Sequence, residues 1–164
     1  MYPNVLEYFK EKGDSMNVER FVSSALKLKR EMVYAHIKCA EAYSDLSSAK
    51  RLKVGTIVVK DDRVISIGYN GTPTGWNNTC EHNGKTKPEV LHAEANAITK
   101  LARSHESGLS SHLFTTHAPC MECSKLIYQT GIDAVVYKND YKDRDGVEFL
   151  KQGKVLVLKI GEDI

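Results

Sequence analysis

Residues 54–68 read VGTIVVKDDRVISIG, and this stretch decides the class of fold. Two runs rich in β-branched residues, 54–60 and 63–68, stand on either side of Asp61 and Asp62. β-Branched residues favour strands, and a two-residue turn between two such runs is typical of a hairpin. The stretch therefore predicts an antiparallel β-hairpin.

Helical and extended patterns alternate after the hairpin. They predict a helix over 92–103, a strand over 112–116, a helix over 120–130, a strand over 133–138, a weaker helix near 144–151 and a final strand over 154–159. This order predicts an α/β fold with three layers, α/β/α, around a five-stranded mixed sheet. The segment between the last two strands is long enough for a crossover, so these strands are expected to be parallel.

Two amphipathic helices are predicted before the hairpin. The first has an apolar stripe at helical spacing, made of Val18, Phe21, Val22, Ala25 and Leu26. The second spans 31–47, and its stripe is made of Val33, Ile37, Ala40 and Ser44. Both stripes are interpreted as core packing. Residues 1–28 are expected to form an N-terminal helical appendage, and residues 29–164 the main domain.

The composition is that of an ordinary globular protein. The 164 residues are 41% hydrophobic and 27% charged, with a formal net charge of +2, which gives no reason to expect a nucleic-acid or membrane partner. No apolar run approaches the ~18 residues of a membrane span, and the first residues lack the apolar core of a signal peptide. We therefore expect a cytoplasmic protein whose four cysteines are reduced and serve metal binding or catalysis.

A loop rich in Gly, Pro, Asn and Thr is predicted over 69–89. Structureless loops beyond ~12–15 residues are uncommon in compact domains and are often functional. Gly68, Gly71 and Gly75 are interpreted as positions whose backbone adopts angles that other residues resist. Exposed N–H groups in such a segment can hold phosphates.

Two short motifs stand at predicted helix starts. One is His92-Ala-Glu94, and the other is Pro119-Cys120-Met-Glu-Cys123. Cys120 and Cys123 can point both sulfurs at one ion, and the helix dipole favours their thiolate form. With His92 as a third ligand, one tetrahedral position stays open, which is the mark of a catalytic zinc site.

Glu94 is predicted to be the proton carrier of this site. Two thiolates neutralise most of the charge of a zinc ion, so water bound there needs a base beside it. As a carboxylate, Glu94 can take a proton from the water. As an acid, it can give protons to a ring nitrogen and to a departing amine.

Each motif alone allows a plainer interpretation. Cys-x-x-Cys is also found in redox pairs and in halves of structural metal sites, whereas His-x-Glu alone carries little information. The combination at two helix starts favours catalytic zinc. Cys80 and His82 offer half of a second zinc site, but no matching pair is evident, and Cys39 is interpreted as a small buried apolar residue.

The two motifs together are the signature of zinc-dependent nucleobase deaminases, and the chain resembles the cytidine and deoxycytidylate deaminase superfamily over about residues 30–160. The stretch GYNGTPTG, at 68–75, is similar to the deoxycytidylate branch in particular. The resemblance implies a cytidine-deaminase-like fold, with a zinc-dependent deaminase domain over 29–164. It also implies hydrolysis of dCMP to dUMP and ammonia, which feeds thymidylate synthesis.

The resemblance further implies which residues contact the substrate. Asn70 is expected to contact the nucleotide, and the backbone at Ala93 to face the pyrimidine. Arg103 and Arg51 are expected near the phosphate, with solvated surface charge as the alternative for both. His117, three residues before Cys120, either contacts the substrate or packs in the roof of the pocket.

By the same resemblance, the segment around 68–75 is expected to bind a regulatory triphosphate together with Mg²⁺. In the family, dCTP activates and dTTP inhibits, in a homo-hexamer. Gly68, Gly71, Gly75 and Trp76 are the candidate effector residues. Trp76 either stacks on a base or anchors the loop.

Two other functions share these motifs. A nucleic-acid deaminase of the tRNA adenosine type would favour a basic stripe with stacking aromatic groups, and the balanced charge and the run at 68–75 argue against it. An inactive zinc-binding scaffold is disfavoured by the intact Glu94. We therefore expect small-molecule nucleotides as partners, and no nucleic acid or membrane.

Overall fold

The sheet and its helices lie within residues 29–164, the part of the chain that the structure, a computed structural model, describes. In chain order the elements are α1 (Arg30–Ser44), β1 (Gly55–Lys60), β2 (Arg63–Tyr69), β3 (Glu81–His82), β4 (Lys85–Thr86), α2 (Ala93–Ala102), β5 (His112–His117), α3 (Met121–Thr130), β6 (Ala134–Asn139), α4 (Asp145–Gln152) and β7 (Leu156–Lys159). Within this range, no helix is both long enough and apolar enough to cross a membrane. The appendage predicted for 1–28 lies outside the described residues and stays a prediction.

Five strands form one mixed sheet in the order β2-β1-β5-β6-β7. β1 is antiparallel to both β2 and β5, whereas β5, β6 and β7 run parallel to one another. The predicted mixed sheet and the parallel pairing of the last two strands are therefore confirmed. Because parallel strands end at the same edge of a sheet, the ends of β5 and β6 lie side by side, with His117 opposite Asn139.

Helices cover both faces of the sheet, which confirms the three-layer architecture. The core on one face brings α1 onto the sheet through Val33, Ile37, Ala40, Ile57, Phe114 and Val136. The core on the other face joins α2, α3 and α4 to the sheet through Val58, Ala97, Leu101, Leu113, Ile127, Val135, Val147 and Leu150. Ile57 and Val58 belong to different cores because successive side chains of a strand point to opposite faces.

The turn between β1 and β2 is formed by Asp61 and Asp62. Both residues have a left-handed backbone, with φ of 50° and 58°. Lys60 pairs with Arg63, so the loop has two residues, and positive φ at both identifies a type I′ turn. The predicted hairpin is therefore confirmed, and its turn has the twist that matches the flanking strands.

The region predicted as a loop, 69–89, contains a small antiparallel hairpin. β3 and β4 pair around Asn83 and Gly84, whose φ values are 50° and 72°. Asn-Gly is a strong turn signal, but strands of two residues are too short to show an alternating pattern. The prediction of a continuous loop over 69–89 is therefore wrong where β3 and β4 pair.

Two details of α1 differ from expectation. The helix ends at Ser44 and not at residue 47, and the Ser47 hydroxyl instead donates a hydrogen bond to the Asn70 carbonyl at 2.7 Å. Cys39 is exposed, so its interpretation as a buried residue is wrong. It lies on the side of the helix turned away from the buried stripe of Val33, Ile37 and Ala40.

Replacing Asp62 by glycine should raise the free energy of unfolding by up to about 1 kcal/mol, because glycine adopts positive φ without the steric cost of a Cβ. Asp62→Val should lower it by about 1 kcal/mol, because a β-branched side chain resists this backbone. Urea denaturation measures both changes. A glycine variant that is less stable than the native chain would contradict the type I′ turn.

Candidate active site

The N-termini of α2 and α3 meet near the end of β5. His92 is the N-cap residue of α2, and Cys120 is the N-cap residue of α3, three positions after β5 ends. Pro119 lies just before this cap, where its missing N–H does not interrupt the helix. The fold therefore brings the two sequence motifs together at two helix starts.

His92, Cys120 and Cys123 are the one group of three or more potential metal ligands among residues 29–164. His92 Nδ1 lies 3.5 Å from the sulfur of Cys120 and 3.5 Å from that of Cys123. Zinc bonds of ~2.1 Å to nitrogen and ~2.3 Å to sulfur in a tetrahedron separate these atoms by about 3.5 Å. The three residues, called the ligand trio below, therefore fit a zinc ion and leave its fourth position open.

The two thiols of the trio share charge unequally. Hydrogen bonds with Cys123 and His92 lower the pKa of the Cys120 thiol to about 3. The same contact with Cys120, together with burial, raises the pKa of Cys123. The pair therefore holds one negative charge readily and a second one only beside a cation, as expected for ligands of a metal dication.

Glu94 is buried next to the trio. It lies in the first turn of α2 and is only 4% exposed. Burial raises the pKa of its carboxyl group above the ordinary range, and the charge of His92 opposes this shift. A carboxyl group whose pKa is raised holds a proton more readily, which suits a group that must both accept and donate protons.

Asn70 holds the segment that precedes β1. Its Oδ1 accepts a hydrogen bond from the Val54 N–H, and its Nδ2 donates one to the Leu52 carbonyl, both at 2.8 Å. A side-chain amide has two donor hydrogens and two acceptor lone pairs. These two bonds therefore leave one hydrogen and one lone pair of Asn70 for a ligand.

Ala93 and His117 lie close to the ligand residues along the chain. Ala93 is fully buried and is the first residue of α2, where N–H groups have no acceptor within the helix. His117 is half-buried, with Nδ1 3.0 Å from the Thr116 hydroxyl, and burial lowers its pKa, which favours the neutral ring. Contact of either residue with a substrate stays a prediction.

The cations predicted for the phosphate lie at different distances from the trio. Arg103 caps the far end of α2, and a helix of 10 residues holds it about 15 Å from His92. Arg51 lies against the small hairpin, with its guanidinium 3.4 Å from the Thr86 hydroxyl. A third cation, Lys142, acts on the trio through its charge. The hydrogen bond with Cys120 raises the pKa of His92, and the positive charge of Lys142 opposes this rise. The charge of Lys142 therefore acts on His92, whereas α2 holds Arg103 away from the trio.

The three glycines of the segment 68–75 lie in different surroundings. Of these, only Gly75 has a left-handed backbone, with φ of 85°. At Gly68 the limit is space, because a Cβ there would lie 2.1 Å from the Ala93 carbonyl oxygen. Gly71 has room for a side chain and exchanges two backbone hydrogen bonds with Leu91. The interpretation that all three adopt unusual backbone angles is therefore wrong for Gly68 and Gly71.

Trp76 does not anchor the loop, and that interpretation is wrong. Its side chain is 61% exposed, and its backbone N–H closes a turn by bonding to the Pro73 carbonyl at 3.0 Å. The indole face is therefore open to solvent. An exposed indole of this kind is available for stacking on a base.

Cys80 belongs to no cluster of three or more potential metal ligands in the described part of the chain. It is buried, and its sulfur lies 3.2 Å from the Ser48 hydroxyl. The predicted half-site with His82 therefore gains no further ligand among these residues.

Two contacts near the trio were not expected from the sequence. Leu91, bonded to Gly71, is the residue immediately before His92. Gly146, in the first turn of α4, packs against Pro119 and Ser124. The contact of Gly71 with Leu91 could not be predicted, because a single pair of bonded residues leaves no repeating pattern in the sequence. The contact of Gly146 could not be predicted either, because Asp145-Gly146 is more typical of a turn than of a packed helix.

Comparison with known proteins identifies the family. The family model of the cytidine and deoxycytidylate deaminase zinc-binding region matches residues 24–139. The deoxycytidylate deaminase of Mycobacterium phage D29 is 38% identical over 116 residues, which are 62% of this chain and 89% of the phage protein. The human deoxycytidylate deaminase is 39% identical over 113 residues, which are 60% of this chain and 62% of the human protein. The chain thus spans less than two thirds of the human protein.

A solved structure shares the fold. It is the crystal structure of the dCMP deaminase from the cyanophage S-TIM5 in complex with dCMP and dUMP, with a TM-score of 0.80 and 48% sequence identity. The match covers 81% of this chain and 99% of the cyanophage chain, which confirms the cytidine-deaminase-like fold. Since the fold, the trio and the family model all agree, the chain belongs to the cytidine and deoxycytidylate deaminase family.

Proposed function

We propose that this chain hydrolyses dCMP to dUMP and ammonia, and so supplies dUMP for thymidylate synthesis. The observation that carries this proposal is the buried Glu94 beside the trio of His92, Cys120 and Cys123. The 48% identity to a cyanophage enzyme solved with dCMP and dUMP supports the choice of substrate. Free thiols at the ligand positions fit a cytoplasmic location, where cysteines stay reduced.

Glu94 moves the protons of the reaction. The oxygen of a water molecule bonds to C4 of the cytosine ring, and Glu94 accepts the first proton and passes it to the ring nitrogen. Glu94 then carries the second proton to the amino group, the C–N bond breaks and ammonia leaves. One water is consumed, and the ring keeps its oxygen as the new carbonyl of uracil.

The trio and its neighbours place the reactants. When bound by His92, Cys120 and Cys123, zinc supplies a water that is nucleophilic at neutral pH. Ala93 offers its backbone N–H to the pyrimidine, and Asn70 offers its remaining amide hydrogen or lone pair to the nucleotide. His117, neutral through burial, closes the pocket beside Cys120.

The phosphate of the substrate needs a cation, because it brings nearly two negative charges. Arg51 and Arg103 are proposed for this role by resemblance, and Lys142 by its position. Lys142 is favoured among the three because its charge acts on His92. Arg103 is the least supported, because α2 holds it away from the trio.

Regulation is proposed for the segment 68–75. A triphosphate bound there with Mg²⁺ would contact the backbone of Gly71. The activator would be dCTP, and the inhibitor would be dTTP. The two hydrogen bonds between Gly71 and Leu91 link this segment directly to the residue before His92. The exposed Trp76 offers a surface for stacking on the effector base. A homo-hexamer belongs to the same proposal.

Removing the proton carrier should separate metal binding from catalysis. Glu94→Gln should keep one zinc per chain and lose on the order of 10² to 10⁴ in kcat, because Glu94 does not ligate the metal. His92→Ala, the matched control, should lose both the zinc and the activity. Metal analysis and dCMP turnover on the purified proteins measure the two effects. A folded Glu94→Gln protein without zinc would contradict the assigned role.

The substrate class is tested by comparing dCMP, deoxycytidine and a short RNA hairpin. The native protein should prefer dCMP strongly and should not modify the RNA. Lys142→Ala should lower kcat/KM for dCMP about 10–100-fold, because it removes one charged hydrogen bond to the phosphate. It should leave deoxycytidine turnover unchanged, because deoxycytidine has no phosphate. Arg103→Ala should lower kcat/KM for dCMP less than Lys142→Ala does, because α2 holds Arg103 away from the trio. Equal turnover of deoxycytidine and dCMP by the native protein would refute the substrate assignment.

Effector binding should make the kinetics depend on triphosphates. With Mg²⁺ present, dCMP saturation should be sigmoidal, become hyperbolic with dCTP and be suppressed by dTTP, with apparent affinity changing roughly 5–150-fold. Gly71→Val should abolish this response and keep the zinc. A Cβ at Gly71 meets no atom within 4 Å, so the variant should fold. Hyperbolic kinetics that ignore both triphosphates would remove regulation from the proposal and leave the deaminase activity intact.

A further inference from the structure

Gly68 lies where the edge strand β2 packs against the first turns of α2. A Cβ on Gly68 would lie 2.1 Å from the Ala93 carbonyl oxygen and 2.6 Å from the Ala97 nitrogen. Both are backbone atoms of the helix that begins at His92, so they cannot rotate away as a side chain would. The backbone angles of Gly68 are open to other residues. The glycine is therefore required by close approach alone.

Hydrogen bonds fasten β2 to α2 around this glycine. The Ser66 hydroxyl donates to the Ala97 carbonyl at 2.7 Å. The Asn96 amide donates to the Tyr69 carbonyl at 2.9 Å, and Lys100 Nζ donates to the Ile67 carbonyl at 3.0 Å. The bonds run in both directions across the contact, so the first turns of α2 have one fixed position against the sheet.

Gly146 makes the equivalent contact for the two cysteines. It lies in the first turn of α4, and a Cβ there would lie 2.3 Å from the Pro119 carbonyl oxygen and 2.7 Å from the carbonyl carbon of Cys120. The hydroxyl oxygen of Ser124 would be 2.6 Å away. α4 therefore lies directly against the turn that carries Cys120.

We propose that Gly68 and Gly146 are positioning residues that set the spacing between His92 and the two cysteines. A Cβ does not approach another heavy atom closer than 3.0 Å, so alanine at either position must displace the backbone it touches by several tenths of an ångström. Zinc–ligand distances tolerate only about 0.2 Å. The displacement would therefore reach the metal site and weaken it. This inference rests on the zinc site of the proposed function.

Gly55 provides a matched control on the opposite face of the sheet. A Cβ on this residue of β1 would lie 1.9 Å from the Ala40 carbonyl oxygen of α1, a contact as close as the other two. α1 carries none of the ligand trio. Gly55→Ala should therefore disturb helix–sheet packing without changing the zinc site.

The test measures metal affinity and metal geometry in the full chain. Gly68→Ala and Gly146→Ala should bind zinc about 10–100-fold more weakly in competition with a chelator, the range found for residues that support metal ligands. Their Co²⁺ forms should show shifted absorption bands, because the ligand field follows the positions of the donor atoms. Gly55→Ala should unfold at lower temperature and keep the native zinc affinity and Co²⁺ spectrum.

Several results would overturn the inference. Native affinity and a native Co²⁺ spectrum in the Gly68 and Gly146 variants would do so, as would an equal loss of affinity in Gly55→Ala. If the native chain binds neither metal, the proposed function fails and this inference fails with it. If only the glycine variants behave as native, the proposed function stands.

Milder variants cover the case in which an alanine variant does not fold. Ser66→Ala removes one hydrogen bond beside Gly68 and should lower zinc affinity in the same direction by a smaller factor. Gly146→Ala combined with Ser124→Ala relieves the side-chain clash but keeps those with Pro119 and Cys120. This double variant should still lose affinity relative to Ser124→Ala alone. Unchanged affinity in either variant would overturn the part of the inference that concerns its glycine.

Discussion

The approach of the α2 and α3 N-termini is the contact on which the rest of this molecule depends. His92 and Cys120 occupy the two N-cap positions, where the positive ends of both helix dipoles point into one small volume. The thiolate of Cys120, which would be costly to bury elsewhere, is stabilised there. β5 lies between the two helices in the chain, and its pairing with β1 and β6 fixes where α3 starts.

Charge and folding are coupled at this contact. Three acidic groups, Glu94, Cys120 and Cys123, lie within a few residues of the helix starts, and the burial of Glu94 and Cys123 disfavours their charged forms. A dication that binds the folded chain offsets this cost and stabilises the fold by mass action. A metal ion held by the trio would therefore stabilise the fold as well as take part in the proposed reaction.

Much of the fold could be predicted because its signals are periodic. The two β-branched runs in 54–68, with a two-residue turn between them, identified the hairpin. The His92 motif combined with the spacing of Cys120 and Cys123 identified the trio. Contacts between single residues, such as Gly71 with Leu91, leave no period in a sequence and could not be found in this way. The position of Arg103 depends on the length and direction of α2, and the exposure of Cys39 and Trp76 depends on what packs around them. Such properties come from tertiary structure and not from local pattern.

The pairing of Gly71 with Leu91 closes residues 72–90 into a loop whose two ends are held together by backbone hydrogen bonds. A loop whose ends are already held together loses little entropy when it grows, about 0.6 kcal/mol for each doubling of its length. Residues added at the exposed positions of this loop, away from the buried Cys80, should therefore cost little free energy, as long as Leu91 stays in register beside His92. Added length in this loop would therefore leave the position of Leu91, and with it the start of α2 at His92, unchanged.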